Sequence, residues 1–334
     1  MMSALQIPSA QMLAHTHAAP PSIAWSLRHR RRRRTLPCTA LLSRRELASS
    51  AGAGTAFLLL SQHARAADPA AASPLEAVFN QAAPAYPGPS FSYQRVLQYA
   101  PWLFGEWSCR SALQSFDAPK GQRFVPASAI AAAKADEGKA VPFTVRFYQT
   151  LPDSAANKLR VTLGSVPESA VVADRAFNIK SLTEATLGKP GAVESVAYDQ
   201  RDSPDRVTVV YAGTPPQKAE LYLSALRGDD TTRESDLFYT AECTRQVSIG
   251  VAREAVSDYQ ILCRFERKGP DDVLLTQRVA VYLTPQDPAY FDVANAAVGV
   301  YTYTINMRRN KAESPDGGPR LACVETPKEV VQCI

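Results

Sequence analysis

Histidine is scarce in this 334-residue chain: there are four, at positions 15, 17, 29 and 63. A folded body that begins after residue 66 therefore has none. It cannot run a Ser-His-Asp or Cys-His mechanism, and it cannot build a His-ligated zinc or iron site. Phosphate-cradling loops are missing too, since neither Gly-x-Gly-x-x-Gly nor Gly-Lys-Ser/Thr occurs, and nucleotide binding has no support. The six cysteines contain no Cys-x-x-Cys pair, which removes zinc ribbons and thioredoxin-like sites. Residues 48–60, the most apolar stretch, are short and rich in Ala, Gly and Ser, whereas a bilayer span needs about 20 apolar residues. No catalytic residue, metal-ligand set or cofactor is assigned.

What the chain does have begins at its N-terminus. Ser43-Arg44-Arg45-Glu46-Leu47 precedes a weakly apolar stretch and then Ala64-Arg65-Ala66, the order of a twin-arginine export signal with cleavage before Ala67. About forty residues rich in Ser, Ala and Arg, without acids, lie ahead of it, as in an organelle-targeting peptide. The basic run at 30–34 would also suit a nuclear or nucleic-acid patch, and a mitochondrial presequence shares the Arg and Ser enrichment. Neither explains the second Arg pair, apolar stretch and Ala-x-Ala site in that order. The whole leader resembles the bipartite presequence of thylakoid-lumen proteins, which implies passage into a chloroplast, then transport of the folded chain into the thylakoid lumen. No transmembrane anchor is expected after processing.

Residues 1–66 hold nine of the 37 basic residues and one of the 32 acidic ones. That leaves 28 basic against 31 acidic, so the formal net charge of +5 becomes −3 and no nucleic-acid partner is indicated. We expect an Ala/Pro-rich linker at 67–91, a single β-rich domain at 92–310 and a flexible C-terminal tail at 311–334. A short helix is expected at 92–99 and another at 127–135, stopped near Gly138. Strands are expected at 142–150, 157–164, 171–180, 193–199, 205–212, 219–226, 236–249, 258–268, 274–284 and 298–308, with helical periodicity around 182–187. Short links between strands favour an antiparallel up-and-down meander, closed as a barrel or strongly bent.

The 236–249 stretch alternates best. Tyr239, Ala241, Cys243, Arg245, Val247 and Ile249 share one face, and Thr240, Glu242, Thr244, Gln246 and Ser248 share the other. The all-polar face is expected to meet water. A hairpin turning near residues 253–254 would set Cys243 nearly opposite Cys263, giving either a disulfide or two buried thiols. Cys323 and Cys333 frame a loop short enough to close, and Cys109 is left over as a packed thiol or a reactive one beside Arg110.

Two resemblances bear on fold and function. Gly105-Glu106-Trp107 at the start of the strands and Arg308-Arg309 at the end of the last one resemble the lipocalin arrangement, which implies a tryptophan closing a barrel base under an arginine. Ala173-Asp-Arg-Ala-Phe-Asn178, Tyr239-Thr-Ala-Glu-Cys-Thr-Arg245, Gln277-Arg-Val-Ala-Val-Tyr-Leu283 and Val300-Tyr-Thr-Tyr303 resemble an uncharacterised thylakoid-lumen family of plants, algae and cyanobacteria. That family implies a location and a single domain, without catalytic residues to carry over. The expected function is binding, either of an apolar small molecule inside the barrel or of a photosynthetic-complex subunit outside it. A lipid- or isoprenoid-modifying enzyme of lipocalin type and a ligand-free assembly factor are the alternatives.

Overall fold

The computed structural model describes residues 73–87, 94–151, 155, 156, 159, 170–200, 202–214, 217–230, 235–250, 254–293, 295–310, 323–325 and 331–333. Ten antiparallel strands form one curled sheet: β1 (Gly105–Asp117), β2 (Ala140–Leu151), β3 (Val171–Ala173), β4 (Val193–Asp199), β5 (Ser203–Tyr211), β6 (Gln217–Gly228), β7 (Leu237–Ile249), β8 (Glu254–Arg267), β9 (Asp272–Tyr282) and β10 (Gly299–Arg309). From β4 to β10 each strand pairs with its successor, and β1 then sits between β10 and β2. Beyond β2 lie β3 and two short strands, β11 (Cys323–Glu325) and β12 (Val331–Cys333). The sheet is bent and open: among the described residues β4 pairs only with β5, so β4 is a free edge.

A helix covers the gap. In α3 (Arg175–Leu187) the Asp174 carboxylate caps the first turn, accepting from Phe177 N at 3.0 Å, and Gly188 ends the last turn at φ 60°. Ile179 and Leu182, three apart, point into the core. The polar side chains beside them complete the β2 edge: Thr144 N donates to Ser181 Oγ at 3.0 Å, Arg146 N donates to Asn178 Oδ1 at 2.7 Å, and Asn178 Nδ2 donates to Arg146 O at 3.0 Å. These side chains take the place of a neighbouring strand. The strand expected at 171–180 is therefore three residues of β3 followed by this helix, because a capping Asp and a left-handed Gly outrank local β-propensity.

Other departures are local. The expected helix at 92–99 is absent over its described part, where Tyr99 instead forms an isolated bridge with Val171. The 127–135 helix is present as α2 (Ala127–Asp136). The expected strand 157–164 lies outside the described residues except for Leu159. Within the stretch read as a linker, Pro74–Phe79 forms a docked helix, α1, whose Ser73 Oγ accepts from Leu75 N at 3.1 Å. Leu75 and Phe79 pack on Tyr239, Ala241 and Leu262 on the outer side of the sheet, and Tyr86 stacks edge-on against Tyr282 at 5.1 Å. A fourth short helix, α4, spans Tyr290–Val293. No helix among the described residues is long and apolar enough to cross a membrane.

Candidate functional site

At one end of the curl the expected tryptophan and arginine stand together. Trp107 and Arg309 are register partners, with the guanidinium carbon 4.3 Å from the ring centroid. Trp107 is fully buried and its Nε1 donates to Leu103 O at 2.8 Å. Arg309 also donates to the carbonyls of Phe104 and, at 2.9 Å, Trp102. Gly105 has to be glycine, since its φ is +115° and a Cβ there would lie 2.8 Å from Arg309 Nη1. Arg308 takes no part; it is exposed and pairs with Asp272 at 3.3 Å.

Above this base the interior is layered. Phe238, Phe265, Leu275 and Ile305 make an apolar storey on four strands. One step along the register, Thr240, Cys263, Gln277 and Tyr303 form a polar belt on the same four strands. Thr240, Glu242, Thr244 and Gln246 are each 5% exposed or less. The polar face of β7, expected in water, thus lines the interior, and its Tyr239–Ala241 face is covered by α1.

The belt is unevenly satisfied. Arg175, from the first turn of α3, reaches across to β7 and holds Glu242 through two hydrogen bonds of 2.7 and 3.2 Å. Burial opposes the charge on both groups, yet each holds the other charged: the Arg175 pKa is raised and the Glu242 pKa lowered. Gln277 is fully buried and neither its Oε1 nor its Nε2 has a partner; the Tyr99 hydroxyl, also buried, has none either. Burial pushes the Tyr99 pKa well up, so the hydroxyl keeps its proton. Between base and belt lies a void of about 10 Å³ bordered by Tyr99, Val145, Phe147, Thr240, Cys263 and Leu275, the scale of one water.

The cysteines do not assemble as the hairpin geometry suggested. Ile249 faces Glu254, so Cys243 pairs in register with Gln260 and Cys263 with Thr240. Three residues of offset put the two sulfurs on opposite faces, and both thiols are free. Cys109 is also free, and burial pushes its thiol far above the reactive range. Cys323 and Cys333 are register partners between β11 and β12, with side chains outside the described part. Arg44, Arg45, Ala64, Ala66 and Ala67 also lie outside the described residues.

Arg175, Asn178, Thr240, Glu242, Gln277, Tyr301 and Tyr303 all come from the four stretches that carried the family resemblance, and they converge on this interior. A family model for a domain of unknown function, DUF6816, matches residues 94–311. The chain belongs to that family. The DUF6816 domain covers β1 through β10 and leaves α1 outside its matched span. No curated protein and no solved structure matches the chain, so the lipocalin resemblance of the DUF6816 base stays a resemblance of one motif.

Proposed function

We propose that this protein is a binding protein of the thylakoid lumen that takes an apolar small molecule on the concave face of its curled sheet. The observation that carries the reading is the belt: a row of inward polar groups with unpaired members, set above an apolar base. A folded chain seldom leaves such groups without partners unless something else supplies them. The leader supports the location. Because the void beside Tyr99 has single-water size, only a polar group of the guest enters it.

The test is to isolate the processed protein from thylakoids without detergent and extract it with organic solvent for mass spectrometry. The expected result is one apolar compound at roughly one copy per chain. An empty extract would overturn interior binding. A thylakoid subunit that co-elutes in place of any compound would likewise overturn interior binding.

A further inference from the structure

Resting on that reading, we infer that Gln277 and Tyr99 form a hydrogen-bonding subsite for a neutral oxygen function, a hydroxyl or a carbonyl, on an otherwise apolar ligand. Gln277 alternates along β9 with Leu275 and Val279, both in the core, so its amide points inward. An amide offers two donors and an acceptor, and here all are unused. The Tyr99 hydroxyl lies at the same level of the interior, beside Thr240 and Cys263, and is likewise unused. Cys263 links the two groups: it borders the void that Tyr99 lines and faces Gln277 across the ladder.

Charge selects among headgroups. Glu242 and Arg175 neutralise one another at 2.7 Å, so the interior has no uncompensated charge from that pair to attract an ion. A carboxylate entering the belt would meet the Glu242 carboxylate, and an ammonium would meet the Arg175 guanidinium; both would also lose their hydration. A carbonyl oxygen can accept from Gln277 Nε2 and from Tyr99 Oη, and a hydroxyl can in addition donate to Gln277 Oε1. The body of the ligand is then held by apolar contact with no polar demand of its own. The two donors sit on different elements, β9 and the segment before β1, with Cys263 between them.

Calorimetric titration of the full chain with 1-decanol, 2-decanone, decanoate and 1-chlorodecane tests this. The alcohol and ketone should bind about 10-fold tighter than the chloride or the carboxylate, the worth of one good hydrogen bond. Gln277→Leu should erase that preference while leaving the melting temperature unchanged or higher, because an apolar group replaces an unpaired buried amide. Tyr99→Phe should also erase it, and carries the test if the leucine variant does not fold. Equal affinity for all four probes, or a preference that survives both substitutions, overturns the subsite but leaves apolar binding standing. Failure of every probe to bind overturns both.

Discussion

Trp107 and Trp102 lie five residues apart, yet their energetics should differ sharply. Trp107 is buried under Arg309, whereas Trp102 is partly exposed and its Nε1 donates to Ser235 O at 3.1 Å. Truncating Trp107 to Ala should cost about 3–5 kcal/mol, the usual price of deleting a large buried aromatic. The same change at Trp102 should cost much less, and denaturant melting of both variants separates them. A second residue-scale effect belongs to Glu220 on the outer face. Burial by itself raises its pKa, but hydrogen bonds from Arg206, Lys218 and Thr208 bring it down to about 2 from 4.5. A carboxyl lowered by folding stabilises above its unfolded pKa and loses that contribution as pH falls toward the folded one. Melting temperature should therefore drop between pH 4.5 and 2, and Glu220→Gln should flatten that drop; an identical acid limb in the variant would contradict the assignment.

At the scale of elements, α3 is held to the opposite wall by one ion pair. Arg175→Met should destabilise by about 3–5 kcal/mol, since it removes the guanidinium that compensates the buried Glu242 carboxylate through two hydrogen bonds. Adding Glu242→Leu should recover most of the loss; a double variant as unstable as the single one would show that packing rather than charge is at stake. The same elements show what the sequence could reveal. Alternation along β7 was legible because strand side chains have period two, but the pattern does not say which face a curled sheet turns inward. That depended on α1 covering Tyr239 and Ala241 from outside, a contact across more than 150 residues. The cysteine offset has a local cause: Ile249 is already paired with Glu254, so the β7–β8 register is centred between them and not at residues 253–254. Tyr99 carried no signal, and Gln277 none beyond its place in a stretch that carried the family resemblance, since a single buried Gln in an apolar strand reads as any polar position would.

For the whole molecule, the proposed export route and the fold make one joint demand. A twin-arginine route carries folded chains, and the curled sheet is built largely from hairpins between successive strands, local pairings of the kind that form before long-range ones. Replacing Arg44 and Arg45 by Lys should block import into isolated thylakoids, followed by protease protection of the processed band. Unchanged import of that variant, independent of the proton gradient, would remove the support for a lumenal location.

The docking of α1 bears on processing. Its cap, Ser73, bonds to Asp229 on the body and its Leu75 and Phe79 are buried against β7 and β8. The proposed cleavage after Ala66 would leave six residues, 67–72, between the scissile bond and that anchored serine. Fully stretched, six residues reach about 20 Å. On the proposed export route a processing peptidase would have to work close against a body that is already folded, and the length of this tether, more than its composition, would limit how near the membrane the domain could stand when released.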